Sequence, residues 1–405
     1  MKPVSACKPT LLAAALSFAM PSLAEDVRSM GMGGTGVASA NGDTAAIMNP
    51  ALMTGGPLQA GWSFVGPSLV VEASDRHDIA DTVDDMTDAY DELDLAIQMQ
   101  DVSSSEAYKD AFLQELAELD NKPVTLKVNT ELALTMPLGE MNLALGGRST
   151  LDVTVIADYV SDDETLIENA IISGNADLLE DSASSVTGVG VVVSEAYVAL
   201  AHGATWQDQQ LSFSVAPKYQ ELQTIYYKST AGSYDQDDLD ADDYVASESG
   251  FNLDLGMAYY ITPKVNAGLT LRNVLGGDYD TIAPGTISPR YAADEPLRYE
   301  LNPKATVGVA YNGSMLTLAA DLDLTEDSGF AGYDRAQFAR LGAELNFWNW
   351  AAVRVGYRHD MNDVQENVVT AGLAFSPFNT FHFGLSSSYS ENNTAGVGAE
   401  FKLTL

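Results

Sequence analysis

The end of the chain alternates strictly between apolar residues and residues that are small or polar. The apolar set is Ala395, Val397, Ala399, Phe401, Leu403 and Leu405, and each intervening residue from Gly396 to Thr404 is small or polar. Successive side chains of a β-strand point to opposite faces, so this pattern predicts a strand with one apolar face. The same period recurs in most segments after residue 121, which favours an all-β fold.

About fourteen such strands can be placed, and the segments that join them alternate in length. The strands begin near residues 58, 124, 142, 195, 210, 249, 265, 304, 314, 338, 351, 367, 380 and 395. Short connections lie at 137–140, 207–209, 262–264, 312–313, 348–350 and 376–379, and longer ones at 75–123, 159–194, 230–248, 276–303, 325–337, 359–366 and 390–394. Outer-membrane barrels have short turns at one end and long extracellular loops at the other. We therefore predict a 14-stranded antiparallel transmembrane β-barrel with helical insertions in its extracellular loops.

The first 24 residues have the form of an export signal. Lys2 and Lys8 give it a basic start, an apolar run covers 11–20, and small residues at 22 and 24 mark a cleavage site. We expect cleavage after residue 24 and localisation in the cell outer membrane. The single cysteine, Cys7, falls inside this signal, so the mature chain is expected to have no disulfide, no thiol catalysis and no cysteine-based metal site.

The charge of the chain argues against one class of partner. There are 57 acidic and 20 basic residues, and loss of Lys2 and Lys8 with the signal changes the net charge from −37 to −39. Such a surface repels phosphate backbones, so no direct binding of nucleic acid is expected. We expect neither an enzyme nor a metal site, because the four histidines show no metal-ligand spacing and no nucleophile with its base can be assigned.

A series of short motifs, in order and spacing, resembles the conjugal-transfer TraF-like family of FadL-like outer-membrane proteins. The motifs are Met32–Ala40, Asn49–Leu52, Ser194-Glu195, Ala216–Lys218, Phe251–Gly256, Ala319–Leu324, Leu341–Glu344 and Arg354–Arg358. They cover most of the mature chain. The resemblance is not to the thioredoxin-like protein that shares the TraF name, which needs a Cys-x-x-Cys motif. It implies a 14-stranded barrel with an N-terminal hatch, in agreement with the strand count.

The resemblance places the hatch at residues 25–57, between the signal and a barrel that spans 58–405. This segment is rich in glycine and alanine and almost uncharged. Glycines permit tight turns and a close approach to the barrel wall, and a residue before proline is held extended. Gly31–Gly36 also fits the dinucleotide fingerprint, but that fingerprint needs a βαβ unit that no pattern here predicts, so no cofactor is expected. The residues expected to matter in the hatch are Gly31, Gly33, Gly34, Gly36, Asn49, Pro50 and Ala51.

Two of the long loops have helical patterns. In the insertion at about 75–123, apolar residues recur every three or four positions from 79 to 97, and a second helix is predicted from Ser105 to Leu119. A further short helix is expected in the insertion at about 159–188. The apolar stripes suggest a ligand-binding cap, and a lid that merely protects the barrel rim is the alternative. The candidate cap residues are Met86, Tyr90, Phe112 and Leu116.

Charged residues are expected inside the barrel. Asp321 and Asp323 lie on the strand face opposite Leu322 and Leu324, so they face the lumen if the leucines face lipid. Neighbouring strands should bring one of these carboxylates near Arg340, since charges in a lumen persist when they are paired or hydrated. A structural lattice that anchors the hatch and a role in gating or ligand passage both remain open. The predicted lumen network is Glu131, Asp254, Arg272, Asp321, Asp323, Arg340, Glu344 and Arg354, with Glu344 near Arg354.

The resemblance leaves two functions open. In FadL-like proteins a hydrophobic molecule enters from outside and leaves through the barrel or its wall when the hatch rearranges, so passive uptake of a hydrophobic small molecule is the first expectation. The second is a structural or assembly role in the envelope or in plasmid transfer, with loops that bind protein partners. A pocket lined by the four cap residues would favour uptake, whereas packing of these residues on one another would favour assembly. Outer-membrane lipid is the expected partner in both cases.

Overall fold

Fourteen strands close into an antiparallel barrel within the residues that the computed structural model describes, which are 26–42, 44–54, 62–230, 241–287, 289–291, 293–347, 350–377 and 380–404. The expected export signal, the 55–57 end of the expected hatch and the predicted strand start near residue 58 lie outside the described residues. Each barrel strand pairs with the next barrel strand along the chain, and the first strand closes the barrel against the last. The predicted all-β antiparallel barrel is confirmed.

The strands are numbered along the chain, and three of them lie outside the barrel. β8, β9 and β12 form a separate sheet in the order β12-β9-β8. The bounds are β1 (Ser63–Ser74), β2 (Pro123–Leu138), β3 (Met141–Asp158), β4 (Ser185–Trp206), β5 (Gln209–Thr230), β6 (Val245–Thr262), β7 (Val265–Arg272), β8 (Gly277–Asp280), β9 (Arg298–Leu301), β10 (Lys304–Asn312), β11 (Leu316–Asp323), β12 (Gly329–Phe330), β13 (Phe338–Phe347), β14 (Ala351–Asp360), β15 (Val368–Phe375), β16 (Phe381–Tyr389) and β17 (Thr394–Thr404).

The helices lie in the hatch and in the long loops. The second helix of the first insertion was predicted from Ser105 but begins three residues earlier, at Val102. The side chain of Asp101 accepts a hydrogen bond from the Ser104 amide at 3.2 Å and caps the helix there. Short 3-10 turns occupy Pro50–Thr54, Ala176–Asp181, Ala241–Tyr244 and Pro289–Tyr291. The α-helices are α1 (Val27–Gly31), α2 (Ala45–Met48), α3 (Ile79–Gln98), α4 (Val102–Leu119), α5 (Asp163–Ser173) and α6 (Pro284–Ile287).

β4 begins at Ser185, about ten residues before its predicted start. Its first half does not alternate, because both of its faces are covered. Val191 packs inward against Leu301 of β9, while Val192 packs on the other face against Leu126 and Leu151. A strand buried on both faces is a continuous apolar run, which periodicity alone cannot assign.

The outer face of the barrel is apolar, as a membrane-spanning barrel requires. On β11, Leu318 and Leu322 are 47% and 39% exposed, whereas Asp321 and Asp323 are buried inside. The exposed apolar side continues around the neighbouring strands through Leu341, Val355, Leu373, Leu385 and Val397. A contiguous apolar band of this kind matches the hydrocarbon core of a bilayer. Among the described residues, none of the helices has the length and apolar character needed to cross a membrane.

One side of the barrel wall is much taller than the other. β2 to β6 have 16 to 22 residues, whereas β7 and the barrel strands from β10 onward have 8 to 11. A transmembrane strand needs only about 9–11 residues. The tall side therefore rises beyond the membrane, and it carries the helical insertions. The β8-β9-β12 sheet is inserted between the short strands β7 and β10 and between β11 and β13, and it packs against the tall side.

Leu341→Arg tests the position of the lipid-facing surface. Leu341 is 58% exposed on the outside of β13, and we expect the substitution to lower the free energy of unfolding by about 2–4 kcal/mol in a bilayer, since an arginine is then placed in hydrocarbon. Met99→Arg is the matched control, because Met99 is 69% exposed at the turn between α3 and α4. Denaturant unfolding in phospholipid vesicles measures both changes. Equal effects of the two substitutions would contradict the assignment.

Candidate channel and hatch

Residues 26–42 and 44–54 lie inside the barrel and form the hatch. α1 is buried along its whole length, and its N-terminus is capped by the carboxylate of Asp26, which accepts a hydrogen bond from the Ser29 amide. α2 and the following turn, which begins at Pro50, pack against a set of wall alanines on β2 to β6. These small side chains leave room for the hatch. The alanines are Ala133, Ala144, Ala199, Ala201, Ala216 and Ala258.

A buried charge triad joins the hatch to β13 and β14. Arg28 donates to Glu344 from Nε at 2.9 Å and from a terminal nitrogen at 3.2 Å, and it also donates to the carbonyl of Ser39 at 2.9 Å. Arg354 donates to the same carboxylate at 2.8 Å. Glu344 thus bridges a hatch cation and a wall cation, and all three side chains are buried. Removing one member of a buried charge set leaves an uncompensated charge, which typically costs about 3–5 kcal/mol.

The two β11 carboxylates have different partners. Asp321 accepts hydrogen bonds from the backbone amides of Gly36 and Val37 at 2.7 and 3.0 Å, so it holds the hatch backbone. Asp323 accepts two hydrogen bonds from Arg340, at 2.7 and 3.0 Å. Lys304 also contacts Asp323, at 3.1 Å. Asp321 therefore holds the hatch, whereas Asp323 pairs with cations of the barrel wall.

Wall side chains also hold the second half of the hatch. Arg272 donates to the carbonyls of Ile47 and Met48 at 2.9 and 3.1 Å. Asn49 donates to the carbonyl of Val37 at 2.8 Å and to that of Met257 on β6 at 3.1 Å. Its side-chain oxygen accepts from the Ala51 amide, which closes the turn after Pro50. Arg28 and Arg272 thus hold the hatch near its two ends through charge-assisted bonds, and Asp321 holds the backbone amides between them.

Glycines on the inner wall let the hatch backbone lie directly on the strands. A Cβ added to Gly356 would overlap the backbone of Met32 and Gly33, and one added to Gly342 would overlap the carbonyl of Met32. Gly33 itself has a φ of +71° and donates its amide to Thr370 at 2.9 Å. Similar close approaches of hatch to wall occur at Gly31, which lies against Gly372. The wall glycines were not among the predicted site residues. Their positions on the inward faces of the strands could have been recognised in the sequence as sites where another backbone approaches closely.

A second charge cluster lies on the inner face of the tall wall. Lys218 contacts Glu195 at 2.8 Å and Asp254 at 2.9 Å, and Arg148 contacts the same two carboxylates. Glu131 lies nearby, 4% exposed, and neither of its carboxylate oxygens has a hydrogen-bond partner among the described residues. The predicted Asp254 therefore belongs to a buried ion-pair cluster, whereas the predicted Glu131 does not form an ion pair there.

A cavity of about 550 Å³ lies in the lumen, and hatch residues form part of its boundary. Gly34, Val37 and Met48 contribute from the hatch. Its apolar lining includes Val191 and Val193 of β4. The rest of its lining is strongly charged and includes Arg272, Asp321, Asp323 and Arg340 from the predicted network.

The β8-β9-β12 sheet folds inward and covers this cavity. Tyr299 and Leu301 of β9 pack in one cluster with Val191 of β4 and Leu222 of β5. Thr224 of β5 donates to the carbonyl of Asp280 at 3.0 Å, which ties the sheet to the tall wall. We call this sheet the lid. It was not predicted, because strands of two to four residues are too short to show a period.

The four candidate cap residues lie in a different place from the cavity. Phe112 and Leu116 of α4 are buried in one apolar cluster, against which Met86 and Tyr90 of α3 pack. The Tyr90 and Phe112 rings lie 5.6 Å apart. None of the four is among the residues that line the lumen cavity. The helical insertions therefore form a small core of their own, which we call the cap.

A buried lysine joins the two insertions within the cap. Lys109 of α4 contacts Glu106 at 3.0 Å on its own helix and Glu168 of α5 at 3.4 Å. The hydrogen bond to Glu106 raises the pKa of Lys109 above its ordinary value. Lys109 thus stays charged and links α4 to α5.

Gly356→Ala tests the seat of the hatch. The added Cβ would overlap the backbone at Met32 and Gly33, so we expect the hatch to shift and stability to fall by about 1–3 kcal/mol, as in other overpacked sites. Hydrogen exchange of residues 26–54 should rise strongly. Gly188→Ala is the control, because a Cβ there meets only the Tyr227 side chain at an ordinary 3.7 Å. Unchanged exchange in Gly356→Ala would show that the hatch is not seated on this glycine.

Comparison with known proteins supports the same architecture. The family model described as F plasmid transfer operon, TraF, protein matches residues 46–323. The toluene transporter TbuX of Ralstonia pickettii is a similar solved structure, with 12% identity, a TM-score of 0.52 and coverage of 96% of this chain and 98% of that one. A deltaS2 mutant of the monoaromatic hydrocarbon channel TodX gives 15% identity, a TM-score of 0.54 and coverage of 94% and 97%.

Curated protein sequences give no match to this chain. The family model alone covers more than half of the sequence, and the barrel with its inner hatch is similar in fold to the two hydrocarbon channels. The chain therefore belongs to the family described as F plasmid transfer operon, TraF, protein.

Proposed function

We propose that this protein is an outer-membrane channel for the passive passage of a hydrophobic small molecule, and that the hatch is its gate. The observation that carries the proposal is the lumen cavity of about 550 Å³, which is bounded by the hatch residues Gly34, Val37 and Met48. Small-molecule sites have volumes of about 300–1,000 Å³ and are concave, with apolar walls. TbuX and TodX, named as a toluene transporter and a monoaromatic hydrocarbon channel, have a similar fold and support the same reading.

The apolar side of the cavity suits such a molecule. Val189, Val191 and Val193 of β4 line it from the wall, and Tyr299 and Phe330 line it from the lid. The Tyr299 and Phe330 rings stand edge to face at 5.3 Å, so they present a firm aromatic surface. Burial of a hydrocarbon there contributes about 25 cal/mol per Å² of apolar area removed from water.

Passage beyond the cavity needs the hatch to move. Arg28 on Glu344, Asp321 on the Gly36 amide and Arg272 on the Ile47 carbonyl all hold it in place. The first two of these bonds are buried and the third is partly buried, so the closed state is stabilised by contacts that a gate has to exchange or break. These three contacts anchor the hatch, and in this proposal they also set the free-energy threshold for opening.

Arg28→Met tests the gate. The change removes the hatch member of the triad while Arg354 stays on Glu344, and we expect opening events in planar bilayers to become at least about tenfold more frequent, which corresponds to 1.4 kcal/mol or more. Arg354→Met should act in the same direction. Arg76→Met is the control, since Arg76 pairs with Glu366 at 2.6 Å and lies outside the hatch and cavity. An unchanged opening frequency in both triad variants would refute the gate.

The proposed passage of a hydrophobic molecule is tested by identifying the small molecules that the purified protein has bound. The barrel is extracted in mild detergent, and co-purified small molecules are identified by mass spectrometry. We expect a stoichiometric apolar compound whose affinity falls by up to about tenfold in Phe330→Ala, because a lost aromatic contact removes about 0.5–1.5 kcal/mol, so that less of it is retained through purification. Phe375→Ala, on the lipid face, is the control. An empty wild-type barrel would count against passage.

A second candidate function is assembly with a protein partner, and the cap favours it. The four cap residues pack on one another, while Leu95, Met99, Val102 and Ile172 are 51%, 69%, 57% and 84% exposed around the cap tip. The segments 75–122 and 159–184 carry 22 acidic and 3 basic residues. An exposed apolar patch with a polar rim is typical of a protein interface. Met99→Ser with Ile172→Ser should then reduce the size of the complex extracted from the native membrane, and an unchanged size would exclude this role.

A further inference from the structure

The lumen cavity is electrically balanced, unlike the rest of the chain. The whole sequence has 57 acidic residues against 20 basic ones. The cavity lining, by contrast, has seven acidic and seven basic residues. The basic residues are Lys127, Arg148, Arg272, Lys304, Arg335, Arg340 and Arg358. A large share of the cations of this acidic protein therefore faces one small space.

Three of the cations in the cavity lining are already held by acidic residues. Lys127 contacts Asp152 at 3.0 Å, across the β2-β3 pair. Lys304 contacts Asp323 at 3.1 Å, and Arg340 contacts the same carboxylate at 2.7 Å. These groups neutralise one another within the lining.

The remaining cations are engaged in the same way. Arg148 contacts Asp254 at 2.7 Å, Arg335 contacts Glu300 of the lid, and Arg358 contacts Glu72. Arg272 donates to two hatch carbonyls. All seven cations of the cavity therefore have a partner in the closed protein.

This pairing has opposite effects on charged and neutral ligands. A carboxylate that enters the cavity loses its hydration, and it regains that energy only if a cation leaves its present partner. The displaced aspartate or glutamate would then be left without its cation. A neutral hydrocarbon disturbs none of these pairs, because it needs only the apolar side formed by the β4 valines, Tyr299 and Phe330.

We infer that the cavity selects uncharged apolar molecules and discriminates against anionic amphiphiles with the same hydrocarbon part. The inference rests on the proposed channel function and names its ligand class. The selectivity comes from charge pairing in the wall, so it is set by acidic residues that hold the cations and not by the shape of the apolar side. Breaking one pair should make the cavity accept an anion.

The test compares two probes of almost equal shape. 2-Methylnaphthalene and 2-naphthoate share a bicyclic ring and differ in a methyl or a carboxylate group. Binding to the full chain in detergent at pH 7.5 is measured by equilibrium dialysis, with protein-free detergent as the blank. We expect the neutral probe to bind at least about tenfold more tightly than the anion.

Asp152→Asn is the decisive variant, because it leaves Lys127 without its 3.0 Å carboxylate partner. We expect its affinity for 2-naphthoate to rise by about tenfold, the effect of one charge-assisted hydrogen bond, with little change for 2-methylnaphthalene. Glu300→Gln, which releases Arg335, is a second variant of the same kind and serves if the first does not fold. Asp294→Asn is the matched control, because it releases Lys228 from its 2.9 Å partner and neither residue lines the cavity.

The outcomes separate the inference from the function on which it rests. If the wild type binds neither probe, the proposed passage of hydrophobic molecules fails, and the inference fails with it. If it binds 2-naphthoate as tightly as the neutral probe, the channel function stands and the charge selectivity is wrong. If it prefers the neutral probe but neither pair-breaking variant gains affinity for the anion, pairing is not the cause and the inference is overturned.

Discussion

A barrel of fourteen strands is too wide for its own side chains to fill, and this geometric fact shapes the rest of the molecule. Barrels of about eight strands are filled by side chains, whereas those of sixteen or more leave an aqueous channel. Here the hatch, formed by residues 26–42 and 44–54 of the same chain, occupies part of the interior. The hatch can lie on the wall only because inward positions there are alanine or glycine, as at Ala199 and Gly356. The same small residues that weaken a strand locally thus make room for the hatch inside the barrel, beside the lumen cavity.

The distribution of charge follows from the same geometry. The outer face meets hydrocarbon and carries apolar side chains, so charged residues of the strands are directed into the lumen. There the cations pair with acids, as in the Arg28, Glu344 and Arg354 triad. The unpaired acidic excess lies elsewhere, including the cap, where it meets water. A chain with a strongly negative sequence therefore has an interior that is close to neutral.

Much of this architecture could be predicted from the sequence, and the parts that could not have physical causes. The alternation on β11 correctly directed Asp321 and Asp323 inward, and strand adjacency placed Arg340 beside Asp323 and Arg354 beside Glu344. The period-two pattern alone could not show which of the two carboxylates holds the hatch, because this depends on which of them the Gly36 amide contacts. The lid strands are too short to show a period, and the first half of β4 lost its alternation because both faces are buried. The stripe through Met86, Tyr90, Phe112 and Leu116 was correctly seen as apolar, but an apolar stripe does not reveal whether it covers a ligand or another helix.

The seam between β1 and β17 has a consequence for how the chain reaches this structure. Ser63 pairs with Thr404 and Val71 with Val397, so closure joins strands at opposite ends of the sequence. The hatch precedes β1, yet Arg28 contacts Glu344, 316 positions away. Contacts of such high sequence separation form late, because the entropy of closing the loop comes before any gain from the contact. Once the seam has formed the wall is closed, and only the barrel ends connect the hatch with the outside. Formation of the seam therefore completes the enclosure of the hatch.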